Sequence, residues 1–61
     1  MMKKLLTIQE TADYLNVSRS TLYRWRNNGK GPVFIDVGDI IRYAEDDLDV
    51  WVDRKRRWIR L

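Results

Sequence analysis

TIQETADYLNVSRSTLYRWRNNGK, residues 7–30, holds two helix starts and two helix stops in close succession. Thr7-Ile8-Gln9-Glu10 is a capping box. The Thr7 hydroxyl can accept from the Glu10 backbone N–H while the Glu10 carboxylate returns a bond to the Thr7 N–H, which predicts a helix from Ile8. Ile8, Ala12 and Leu15 share one stripe at i, i+4 and i+7, and Asn16 tolerates the left-handed conformation that ends a helix. Ser18 is the next N-cap. Only Asn16 and Val17 therefore separate two helices, each too short to persist without tertiary packing, so they must pack on each other at a steep angle. Gly29 ends the second helix at C′, and Lys30 with Gly31-Pro32 blocks its continuation.

On a helical wheel, Leu22 and Trp25 face inward with Ser18. Ser20, Tyr23, Arg24 and Asn27 face outward, and Arg19 and Arg26 lie on the flanks. A solvated helix face usually mixes Glu with Lys, but no acidic residue occurs from Val17 to Lys30. The outward groups are hydrogen-bonding side chains suited to base edges and phosphates.

Working outward, Val33-Phe34-Ile35-Asp36-Val37 alternates with period two, Gly38-Asp39 supplies turn chemistry, and Ile40-Ile41-Arg42-Tyr43 returns as a second strand. A lone hairpin is marginal, so it should lean on the helices through Val33, Ile35 and Ile41 or Tyr43. Asp46 is read as the cap of a third helix with Leu48, Trp51, Val52 and Lys55 on one stripe. Asp47 and Asp49 in its first turn and the Arg54 to Arg57 run in its last are what the helix dipole favours, so these carboxylates need no metal or acid–base role. The expected fold is mainly α with a small β-hairpin, in the order helix, helix, hairpin, helix: a winged helix-turn-helix.

Sixty-one residues, 44% of them hydrophobic, allow one domain, read as 1–61 with a basic C-terminal extension at 54–61. With no cysteine and no histidine, the chain lacks disulfide staples, thiolate metal sites and the commonest neutral-pH acid, base and metal ligand. The expectation is no enzyme and no catalytic residue, and no metal, cofactor or small-molecule ligand. No apolar run approaches the ~20 residues that span a bilayer, and no signal-peptide core is present, so a soluble intracellular protein with no membrane partner is expected. The net charge of +3 is unevenly spread. Lys3, Lys4, Arg19, Arg24, Arg26 and Lys30 outweigh Glu10 and Asp13 in residues 1–30. Between 31 and 53, Arg42 stands against Asp36, Asp39, Glu45, Asp46, Asp47, Asp49 and Asp53, and from Arg54 onward the chain is basic again. Segregated positive charge is the electrostatic footprint of polyanion binding.

The ordered set Leu6-Thr7-Ile8-Gln9-Glu10-Thr11-Ala12, Leu15-Asn16-Val17-Ser18, Ser20-Thr21-Leu22-Tyr23-Arg24-Trp25, Gly31-Pro32, Val37-Gly38, Arg42-Tyr43 and Asp47-Leu48-Asp49-Val50-Trp51 resembles the short MerR-type winged-helix family of phage excisionases and AlpA-like regulators. The likeness runs from Leu6 to Val52. It implies sequence-specific binding of double-stranded DNA, with the second helix in the major groove and the hairpin wing beside it. Carried over by position, Ser18, Arg19, Ser20, Thr21, Tyr23 and Arg24 are the recognition-helix contacts and Arg42 the wing contact. Arg26, Asn27 and Lys30 complete the candidate DNA-binding set. The resemblance further implies a phage or prophage excisionase, a recombination directionality factor acting with an integrase, or else an AlpA-like transcriptional regulator of a mobile element. Either would work on the nucleoid in a bacterial host's cytoplasm. The small size and lack of a sensing domain fit the architectural role. A reading from another class is a protein-interaction module such as an antirepressor, using the acidic 36–53 region.

Two features depart from that pattern. Asp36 and Asp39 put negative charge in a wing that is usually basic, so its tip either stands off the DNA or faces a protein neighbour. The tail from Arg54 to Leu61 is open to several readings: a solvated helix end, a backbone-binding extension, a continuation of the core stripe through Trp58 and Ile59, or an oligomer contact. In the last case, an acidic wing meeting a neighbour's Arg54 to Arg57 would give head-to-tail self-association on DNA.

Overall fold

The computed structural model describes residues 4–57; the expectations for Lys3, Trp58, Ile59 and Leu61 lie outside them. In chain order the elements are β1 (Leu5–Leu6), α1 (Ile8–Leu15), α2 (Arg19–Asn27), β2 (Ile35–Val37), β3 (Ile40–Ala44) and α3 (Glu45–Arg54). The strands form an antiparallel sheet in the order β1-β3-β2. The winged helix-turn-helix architecture read from the sequence is the one observed.

The helix ends follow their local chemistry. The Thr7 hydroxyl accepts from the Glu10 N–H at 3.0 Å, and the Glu10 carboxylate accepts from the Thr7 N–H at 2.9 Å. Asn16 takes φ 58 and ψ 46, with the Val17 N–H bonded to the Ala12 carbonyl at 2.9 Å, closing α1 in a Schellman arrangement. Ser18 caps α2, its hydroxyl accepting from the Thr21 N–H at 3.1 Å. Gly29, at φ 70, and Lys30, whose N–H reaches the Trp25 carbonyl at 2.7 Å, close the second helix the same way. The turn between the helices is thus a helix stop followed at once by a helix start, and both are written in short side chains.

The third helix begins earlier than its carboxylates suggest. Its N-cap is Ala44, with no side-chain cap bond, and Asp46 lies inside the first turn. The physical reason is tertiary: the Glu45 N–H donates to the Lys4 carbonyl at 3.0 Å, so the backbone leading into β1 satisfies a donor that a capping side chain would otherwise take. β1 itself is the element missed in the sequence. It pairs Leu5 with Ala44 and Leu6 with Tyr43 and turns the hairpin into a sheet.

Leu6, Ala12, Leu22, Tyr43, Ala44 and Leu48 are buried. Leu6, Tyr43 and Leu48 form the central cluster, with Ile8, Leu15 and Ile41 against it. Ile35 is half-buried, but Val33, expected to lean on the helices, is 66% exposed because it precedes β2, outside the paired ladder. Trp25 and Trp51 are half-buried and stack tilted on each other, centroids 5.7 Å apart, at the margin of the core. Val52 is exposed. The hydroxyl of Tyr14 on α1 donates to the Asp49 carboxylate on α3 and ties those helices at the surface. No described helix is long and apolar enough to cross a membrane.

Candidate nucleic-acid interface

The α2 helix stands on Leu22, which is 1% exposed, and this single anchor decides which side chains turn outward. Arg19, Ser20, Tyr23, Arg24, Asn27 and Lys30 are all exposed. Its first turn holds no acidic residue, so nothing opposes the partial positive charge of its N-terminal amides. Hydroxyl, amide and guanidinium groups at these positions can pair with base edges and phosphates at once.

The remaining candidates are less free. Ser18 is exposed, not inward, because it spends its hydroxyl on the cap; its oxygen lies 2.9 Å from that of half-buried Thr21. Arg26 is half-buried, its guanidinium carbon 5.2 Å from the Tyr23 ring centroid and 5.7 Å from that of Phe34. Arg42 is half-buried in the middle of β3, with Nη1 donating to the Ile41 carbonyl at 2.8 Å, and lies away from the hairpin tip.

At that tip, Gly38 and Asp39 both take positive φ, 57 and 73, the geometry of a type I′ hairpin turn, and the Asp36 carboxylate accepts from the Asp39 N–H at 3.0 Å. Val37 and Ile40 beside it are half exposed. The tip therefore offers carboxylates and aliphatic side chains, a poor surface for phosphate.

Arg42 lies close enough to Glu10 to act on its charge. The Glu10 carboxyl is held below its ordinary pKa, first by its capping bond to Thr7, then with smaller help from Lys4 and Arg42. Arg42 is thus on the wing strand, as its position in the chain assigns it, and its charge also acts on Glu10 in the first turn of α1.

Residue order along the chain also hides two groupings. Lys55 sits 5.3 Å over the Trp51 ring, and these two residues line a surface groove with Trp25, Lys30 and Gly31. The other grouping gathers Tyr23, Arg26, Phe34 and Tyr43. Its sequence signal is faint, an aromatic at the end of the approach to β2 and another on β3, and only the fold brings them together.

Two short helices joined by a tight turn, the second exposing its polar face beside a hairpin, form the arrangement that DNA-docking proteins place against the major groove. A family model described as a helix-turn-helix domain matches residues 5–60. The chain belongs to the helix-turn-helix domain family. Comparison with curated proteins and with solved structures found no match to either. In this helix-turn-helix domain, α1 and α2 are the two helices of the motif.

Proposed function

We propose that this helix-turn-helix domain is a non-enzymatic, sequence-specific binder of double-stranded DNA, with α2 in the major groove. One observation carries the reading: α2 turns Arg19, Ser20, Tyr23, Arg24 and Asn27 outward together, with no acidic side chain in its first turn. Arg24 is the candidate for guanine and Arg19 for a flanking phosphate, while the cap at Ser18 fixes the helix start that positions both. The contact set proposed is Arg19, Ser20, Tyr23, Arg24, Asn27 and Lys30, with Ser18 and Thr21 as positioning groups and Arg42 as a secondary contact.

Within DNA binding, the MerR-type resemblance supports a phage or prophage excisionase. Such a protein bends attachment-site DNA so that an integrase assembles for excision, and a bend costs roughly 1–6 kcal/mol that protein contacts offset. Its place would be the nucleoid of a bacterial cytoplasm. The acidic tip at Asp36 and Asp39 supports a protein contact there, either the integrase or a neighbouring copy. Against a second copy's basic tail each ion pair would contribute only about 0–1 kcal/mol. Arg56 is already paired with Asp53 at 2.9 Å and Lys55 is stacked on Trp51, so such contacts would matter only between copies aligned on DNA.

A gel-shift survey of the DNA flanking the gene, with and without an integrase, tests the proposal. Retarded, bent fragments at an attachment site whose recombination turns toward excision support the excisionase. Retardation confined to a promoter with altered transcription replaces it with the AlpA-like regulator. No retardation of any duplex replaces both with a protein-interaction module.

A further inference from the structure

Arg26 differs from every other cation of α2. Its guanidinium lies between the rings of Tyr23, on its own helix, and Phe34, on the approach to β2. The Phe34 ring in turn meets that of Tyr43 on β3, centroids 6.5 Å apart with planes at 58°. Tyr43 is 1% exposed. Arg26 Nη1 is buried and has no hydrogen-bond partner among the described residues.

The buried Nη1 cannot reach a phosphate or a base edge unless the side chain leaves its rings. What the guanidinium does in place is join α2 to the approach to β2 through the Phe34 ring face, which attracts a cation, and Phe34 carries the contact on to Tyr43 of β3. β3 is held by its pairing with β1 and by buried Tyr43 and Ala44, but β2 has less to hold it, since Val33 before it is exposed and Ile35 only half-buried. Burial raises the Tyr43 pKa, and Arg26 acts in the opposite direction.

We propose that Arg26 is not a DNA contact but the joint that fixes the β2–β3 wing against the recognition helix, so that α2 and the wing meet DNA as one rigid unit. The proposal rests on the DNA-binding reading only for its consequence; the joint itself is a property of the free protein.

Two measurements separate the joint from a contact. The first needs no DNA: amide hydrogen exchange in the parent, Arg26→Leu and Arg26→Ala. Loss of a partly desolvated cation–π contact predicts about five- to tenfold faster exchange across Ile35–Val37 and Ile40–Arg42 in Arg26→Ala, with the α1 amides unchanged. Arg26→Leu keeps apolar contact with the rings and stays folded, and its wing should exchange at a rate between the other two. Wing exchange in Arg26→Ala equal to that of the parent overturns the joint, whatever the protein binds.

The second is the salt dependence of duplex binding by Arg26→Leu. A joint leaves the slope of log K against log salt as in the parent, whereas a lost phosphate contact reduces it by about 0.9. A reduced slope, with wing exchange unchanged, would return Arg26 to the DNA-contacting set. Absence of duplex binding by the parent would sink the functional reading and leave the exchange result to decide the joint.

Discussion

Arg24 and Arg26 lie two positions apart on one helix and have different surroundings: the first is exposed, the second is half-buried against two aromatic rings. If Arg24 reads a base, Arg24→Ala should cost about 1–3 kcal/mol of specific binding and relax preference at that position, while the fold melts as before. Competition titrations against a scrambled duplex would show this, and a folded Arg24→Ala protein of unchanged affinity and preference would remove the assignment. The tyrosines give a residue-level prediction of another kind. Tyr14 is held above its ordinary pKa first by its bond to Asp49, and Tyr43 above it by burial. Both favour the protonated phenol in the folded state, so their contribution is fully present below about pH 10 and is lost as pH climbs through the raised folded values. Urea midpoints followed from pH 8 to 11 should fall, and Tyr43→Phe should flatten that fall. The outward set on α2 was legible in the sequence because Ser18 and Gly29 fix where the helix begins and ends, which sets the wheel. The aromatic surroundings of Arg26 were not legible, because a wheel knows only its own helix and Phe34 reaches it from another segment.

At the scale of elements, the helix boundaries came from short side chains acting on neighbouring backbone, and those are readable by eye. Thr7→Ala should cost about 1 kcal/mol by removing the hydroxyl that accepts from the Glu10 N–H, while the backbone N–H of residue 7 can still donate to the Glu10 carboxylate. Glycines past α2 offer a sharper comparison. Gly29 has φ 70 and open space where a Cβ would point, so Gly29→Ala should cost only the left-handed strain, about 1–2 kcal/mol. Gly31 has φ 83, and a Cβ there would lie 2.9 Å from the Trp25 Cβ, an atom fixed to the helix backbone. Gly31→Ala should therefore destabilise more than Gly29→Ala, by about a further 1–3 kcal/mol. Equal thermal shifts for the two would show that the loop yields more easily than the geometry implies. What the sequence hid at this scale was non-local. β1 is two residues long and exists only through its pairing with β3, and α3 starts at Glu45 because the Lys4 carbonyl, far away in the chain, receives its first donor. No local signal announces either.

For the whole molecule, one small core centred on Leu6, Tyr43 and Leu48 carries the sheet, α1 and α3, Leu22 anchors α2, and the tryptophans are only half-buried. Hydrophobicity alone would put Trp25 and Trp51 at the centre; the helices are too short to enclose side chains of that size. Leu48→Ala should cost about 2–5 kcal/mol and leave the domain largely unfolded, given the roughly 3–5 kcal/mol that so small a core supplies. Half-buried Trp51→Ala should cost less, about 2 kcal/mol, and still melt cooperatively. The reverse order in chemical denaturation would mean the core is misplaced. The account as a whole turns on α2 meeting the DNA backbone, and the most direct test is duplex binding by fluorescence anisotropy across a salt series for the parent and for Arg19→Ala. The account predicts that log K falls linearly with log salt, by about 0.9 for each phosphate contacted, and that Arg19→Ala has a slope shallower by about one such contact. A parent protein that binds no duplex even at low salt, or an Arg19→Ala slope identical to the parent's, would contradict it.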